Sequence, residues 1–241
     1  MFKSEDEREG ALLRRLKESG QPRKTTSIGF STGLDGGTKK RAVVVVARVG
    51  YGPTLATDVE AAFTAGAEAV EIVIGTGSTP NLAVLGDALS KGERPLGVYF
   101  TGFTDVDLDA LTGAGPVDWL HVALDAPARL LYGKGPTRMV SISPDLAPNR
   151  LPGLPSLKTD VVVIEGGAQS SISSLTLDAF LALRTIQGAA KGPVLIGPGL
   201  GLVPADAALL LDHGVEGVLI DAGADTASLS AWIAAIDALD K

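Results

Sequence analysis

The chain contains no cysteine. Disulfides, thiolate nucleophiles and cysteine-ligated metals are therefore excluded, and the composition is compatible with a reducing cytosol. Aromatic residues are also scarce, at 5% of 241 residues, so the core must be built from Val, Leu, Ile and Ala. Such a core suits buried parallel strands covered by helices. There is no long basic cluster and the net charge is −7, which argues against nucleic acid and anionic membrane surfaces as partners. No apolar run approaches the length of a membrane span. The opening stretch "MFKSEDEREGALLRRLKESG" lacks the apolar segment of a signal peptide, so the expected location is the cytoplasm.

Glycine and proline are plentiful, at 30 and 14 residues, and they are scattered as turn punctuation between short apolar runs. Eight such runs read as strands: 42–49, 69–75, 96–102, 118–124, 138–143, 160–166, 193–197 and 217–222. Helical patterns separate most of them, at 55–65, 80–90, 105–112, 174–190, 204–213 and 226–240, with a short one in "ARLLYG". The segments "DVEAAFTAGAEAVEIVI" and "DAALLLDHGVEGVLIDA" share one form, a helix, a glycine C-cap and a strand. Repetition of a strand–helix unit eight times predicts a single (β/α)8 TIM barrel over 41–241. The alternative, an open doubly wound sheet, lacks a dinucleotide fingerprint after the first strand, where the text is "ARVGYGPT". The segment 144–157 carries four prolines, so the fifth helix is expected to be missing or reduced. A homodimer partner or residues 4–19 would then cover that flank. Residues 1–40 form an extension: a helix over 4–19 capped by Ser4 with Glu7 in the capping box, then a turn at Asp35-Gly36-Gly37.

The stretch "VLIGPGLGLVPADAALLLDHGVEGVLIDAGAD" resembles the closing half-barrel of the phosphate-binding TIM-barrel superfamily, the ribulose-phosphate-binding and thiamin-synthesis type enzymes. The resemblance covers roughly residues 193–225, with a weaker version at 58–77. It implies an anion on the backbone of Gly199 and Gly201, and at the turn after the eighth strand; Gly197, ending the seventh strand, likewise lets the backbone pass close to a bound group. That second turn departs from the pattern, because Asp221 and Asp225 repel phosphate unless a cation intervenes.

In a barrel the chemistry sits at the C-terminal strand ends. None of the ten lysines falls late in a strand or in the loop after one, so a Schiff-base aldolase is excluded. The mouth is instead acidic and hydroxylic: Arg48 and Tyr51, Thr76 and Ser78, Tyr99 and Thr101, His121 and Asp125, Ser141, Ser143 and Asp145, Glu165 with Gln169 and Ser170, and Asp221 with Asp225. Structural roles compete for several of them. His121 fits a satisfied core histidine, Arg48 fits an ion pair with Glu71, and Asp125, Asp221 and Asp225 fit helix caps. Glu165 ends an apolar strand before two glycines and has little to cap, which favours function.

Two chemistries remain open. Asp125, Glu165 and Asp221 could hold a hard divalent cation such as Mg²⁺. Alternatively Glu165, with a raised pKa, is a general base, with His121 a further catalytic candidate and Arg48 stabilising negative charge. The sequence therefore predicts a lyase, isomerase or synthase acting on a small anionic metabolite, with an anion at Gly199–Gly201 and none at the Gly223 turn. A non-catalytic binding or assembly barrel is the alternative.

Overall fold

The computed structural model describes residues 10–19, 41–75, 81–90, 94–102, 111, 113, 115–132, 135–166, 176–222 and 226–239. Eight parallel strands close into a barrel in chain order: β1 (Val44–Gly50), β2 (Ala69–Ile74), β3 (Leu96–Phe100), β4 (Trp119–Val122), β5 (Thr137–Ile142), β6 (Val161–Ile164), β7 (Val194–Ile196) and β8 (Gly217–Asp221), with β8 returning to β1. This is the (β/α)8 barrel that the alternating runs predict.

The helices are α1 (Ala11–Ser19), α2 (Leu55–Thr64), α3 (Leu82–Ser90), α4 (Leu177–Ala189), α5 (Ala207–Asp212) and α6 (Ala227–Leu239). The helix expected at 105–112 lies almost wholly outside the described residues, as do Ser4, Glu7 and the turn at 35–37. The two echoed glycines, Gly66 and Gly214, adopt φ of +104° and +72°, the left-handed turn that ends a helix. No helix among the described residues is long and apolar enough to cross a membrane.

Strand side chains alternate, so each run splits into two faces. One face packs outward on the helices, as with Val43, Val45, Ala47 and Val49 of the first run. The other fills the barrel: Val44, Val46, Ala69, Trp119, Met139, Val161, Val163, Leu195 and Leu219 form a separate buried cluster. Leu12, Leu13 and Leu16 of α1 belong to that same interior cluster. The helix thus closes the N-terminal end of the barrel. Gly10 abuts Thr137 and Asp118, the Ala11 N–H donates to Asp118, and Arg15 pairs with Glu68 at 2.9 Å.

That placement corrects one expectation. Residues 10–19 do not shield the flank beside β5 and β6. The proline-rich segment covers it locally, as a 3-10 helix over Pro148–Ser156 that buries Leu154 and packs against α4. The fifth helix is reduced because Pro152 and Pro155 supply no N–H for an α-helical ladder.

Candidate functional site

The same alternation that fills the lower barrel with Val and Leu places charge in its upper tier. Inward positions one step along each strand are Arg48, Glu71, Tyr99, His121 and Ser141, with Glu165 just past β6 and Asp221 at the end of β8. Register brings them together: Arg48 lies opposite both Glu71 and Asp221, and Tyr99 lies opposite His121.

Glu71 anchors the cluster. It is fully buried, and it accepts from Arg48 Nε at 2.6 Å, Trp119 Nε1 at 3.1 Å and His121 Nδ1 at 2.9 Å. Burial alone would raise its pKa. The charges of His121 and Arg48, with the hydrogen bonds from His121 and Trp119, overturn that and hold it down at about 2. Gly97 makes room for this arrangement, since a Cβ there would collide with the Trp119 ring.

Arg48 is 6% exposed. It bonds Glu71 through Nε and Glu165 through Nη1, and its guanidinium lies 4.7 Å over the Tyr99 ring. Burial depresses its pKa, but the two carboxylates more than reverse this and raise it. Both ends of the guanidinium are engaged by protein carboxylates, so Arg48 positions Glu165. It does not offer a free cation to an anion.

Glu165 is the outer end of the network. One oxygen meets Arg48, and the other accepts from Ser141 Oγ at 2.5 Å. Ser141 Oγ is in turn 2.8 Å from His121 Nε2 and 3.4 Å from the Tyr99 hydroxyl. Tyr99 stacks on the imidazole with centroids 4.1 Å apart. Burial, then the Glu165 charge, pushes the phenol up to about 12, so it stays a donor near neutral pH.

The cluster opens into a cavity of about 610 Å³ in the C-terminal mouth, lined among others by Glu165, Asp221, Asp125, Ser141, Ser143 and Tyr99. Burial raises the pKa of Asp221, the Arg48 charge opposes this, and Glu165 and Glu71 add to it. A second cavity, of about 360 Å³, adjoins it through Pro198 and Asp221 and runs between the turn after β7 and the start of α6, where Ser228 and Trp232 line it.

The glycines of the β7 turn serve strand six as well as any ligand. A Cβ on Gly197 would come within 2.6 Å of Glu165 Oε2, and one on Gly199 within 2.9 Å of the Gly166 backbone. Gly199 and Gly201 adopt φ of +98° and +69°, and all three glycines line the smaller cavity.

Candidates from the sequence thus separate. Arg48, His121, Ser141 and Glu165 form one bonded network, and Asp125 and Asp221 line the cavity beside it. Asp125 does not cap the 3-10 turn Ala128–Leu131, whose N-cap is Pro127 with no side-chain hydrogen bond. Thr76, Ser78, Gln169, Ser170, Gly223 and Asp225 lie outside the described residues. Among the described residues, no three His, Asp or Glu side chains are grouped to hold a metal ion, so Asp125, Glu165 and Asp221 are not a ready-made ligand set. Sequence reasoning named Glu71 only as a partner for Arg48 and missed Trp119. The available signal was a glutamate inside the apolar run "AVEIVIG".

No protein-family model matches the sequence, and no curated protein does. Solved structures do share the fold. Tryptophan synthase from Mycobacterium tuberculosis superposes with a TM-score of 0.63 at 16% identity, covering 81% of this chain and 93% of that one. Phosphoribosyl anthranilate isomerase from Thermus thermophilus gives 0.62 at 13% identity, over 82% and 100%. A tryptophan synthase chain from Pyrococcus furiosus gives 0.59 at 15%, over 75% and 87%.

Proposed function

We propose that the protein is an enzyme of the isomerase or lyase kind that moves a proton on a small anionic, phosphorylated metabolite bound in the C-terminal mouth. The observation that carries this reading is that Glu165, at the outer end of the buried network, and Asp221 line one cavity. Glu165 is held by Arg48 and Ser141 with its outer edge at the cavity, while Asp221 is exposed at the end of β8 and lines the same cavity. Two carboxyl groups facing one cavity can exchange protons with a bound substrate. Glu165 is the proton-moving group, and Asp221 stands beside it. The barrel neighbours whose names include a synthase and an isomerase agree with this class of chemistry, as does the resemblance in 193–225.

The substrate's anion would rest against the β7 turn in the smaller cavity, away from Glu165. Thermal-shift screening against sugar phosphates and Mg²⁺ tests the reading, because a ligand raises the melting temperature by mass action. Stabilisation by a sugar phosphate is expected. It should grow in Asp221→Asn, where a repulsive charge is gone, and vanish in Ser228→Glu, where one is added. Stabilisation by Mg²⁺ alone would favour a cation in the mouth, and a response to neither would favour a non-catalytic barrel. Gly199→Val is a poor probe, since the new side chain would strike Gly166.

A homodimer belongs to the same reading. Leu177 and Leu181, one turn apart on α4, are 83% and 63% exposed and give it an apolar face. Leu181→Glu should then lower the mass seen by light scattering.

A further inference from the structure

Ser141 has one hydroxyl hydrogen and two close polar neighbours. Its Oγ lies 2.5 Å from Glu165 Oε1 and 2.8 Å from His121 Nε2. Each contact needs a hydrogen between the heavy atoms. Ser141 supplies one, so a second proton lies in the chain, on Glu165 or on His121 Nε2. The far side of the imidazole is fixed. Glu71 only accepts, so Nδ1, 2.9 Å from it, carries a hydrogen in either case. Arg48 Nη2, at 3.4 Å from Nδ1, is the weaker neighbour.

Two proton arrangements therefore share one heavy-atom geometry. In the first, His121 is an imidazolium that donates to Ser141, and Ser141 donates to ionised Glu165. In the second, neutral Glu165 donates to Ser141, and Ser141 donates to Nε2 of neutral His121. Arg48, Glu71, His121 and Glu165 sum to zero charge in both, so the change moves no net charge into or out of a dry interior. The charged and titratable groups facing the imidazole, among the described residues, are Glu71, Arg48, Tyr99 and Glu165. Glu165 Oε1 is 4.0 Å from Nε2, beyond direct transfer, so Ser141 is the bridge.

We propose that His121 is the store for the proton that Glu165 exchanges with substrate, and that Ser141 carries it between them. This rests on the reading of Glu165 as the proton-moving carboxylate, and it narrows the substrate to a carbon acid, with a C–H bond beside a carbonyl or imine. The step balances as follows. The resting cluster already holds the proton, so the transfer starts from His121. Its Nε2–H bond breaks as Ser141 Oγ takes that hydrogen and passes its own to Glu165, and the Glu165 O–H bond breaks as a C–H bond forms on the electron-rich carbon of the substrate's enol or enamine form. The cluster loses one positive charge, and the Glu165 carboxylate refills it by taking a hydrogen from a neighbouring carbon, whose C–H electron pair stays on the substrate. His121 and Ser141 are positioning residues, since both act through Glu165.

The relay can be tested without substrate. His121 is fully buried, so its Nε2 hydrogen reaches water through Ser141 and Glu165. The 241-residue chain has two histidines, and His213→Gln assigns the His121 signals in isotope-labelled protein. Hydrogen exchange at His121 Nε2 is then followed by nitrogen NMR. Ser141→Ala should slow it by on the order of tenfold or more, the scale of a lost proton-transfer partner. Ser141→Thr should restore it. Glu165→Gln, whose amide cannot carry the proton, should slow it too, and it serves if Ser141→Ala does not fold. A merely structural Ser141 gives the opposite sign, because truncation loosens the packing and speeds exchange. Unchanged or faster exchange in folded Ser141→Ala, or a wild-type Nε2 that never carries a proton, would overturn the relay while leaving the ligand-binding test of the enzyme reading untouched.

Discussion

At the scale of single residues, the site is a buried charged network whose members depend on one another. Glu71 illustrates this most sharply. It has no solvent exposure, and it neutralises Arg48 while orienting His121 and Trp119. Glu71→Ala should cost roughly 3–5 kcal/mol in urea unfolding, the usual result of stranding a buried charge. The pH dependence follows from the same residue. Its carboxyl falls from an ordinary value of 4.5 to about 2 in the fold. A lowered acid stabilises the fold above its unfolded pKa, and this stabilisation is lost as pH falls. Stability should therefore decline between about pH 4.5 and 2, and Glu71→Gln should flatten that part of the profile. Gly197 gives a second local test, since its missing Cβ leaves the space that Glu165 Oε2 occupies. Gly197→Ala should displace Glu165 and lower turnover, which a kinetic assay on the identified ligand would read.

At the scale of elements, most of the architecture was legible in the sequence. Each of the eight apolar runs became a strand, because parallel strands buried on both sides leave long aliphatic stretches. Four prolines told that the fifth helix would be reduced. The site was legible in part. Glu165, Arg48, His121, Ser141 and Asp221 were named from their places at strand ends, yet their bonding was not. Strand alternation tells that a side chain points inward, but the partner is set by register across the barrel, which no local pattern carries. Glu71 was undervalued for that reason, since its meaning depends on His121, fifty residues away.

The place of α1 was also misjudged. Its apolar stripe of Leu12, Leu13 and Leu16 announces that it packs on something, and nothing in the sequence says what. It closes the barrel floor, so deleting residues 1–19 should lower stability by on the order of 5 kcal/mol through lost burial. The mass in light scattering should not change, because the helix does not lie on the α4 face.

At the scale of the whole molecule, the barrel divides by height. The floor is apolar and closed by α1, the middle is aliphatic, and the top tier is charged. Low dielectric below and beside the network strengthens every interaction within it. Such division lets one closed scaffold hold ionised groups dry on one side and open to ligand on the other. Under the proposed function, Glu165 exchanges a proton with carbon in this mouth. The most direct test is proton NMR of the protein in deuterium oxide with those sugar phosphates and keto acids that stabilise it in thermal-shift screening. The expected result is catalysed loss of one C–H signal beside a carbonyl, abolished in Glu165→Gln although that variant still binds the ligand. Exchange that survives in Glu165→Gln, or no exchange in any ligand that binds, would contradict it.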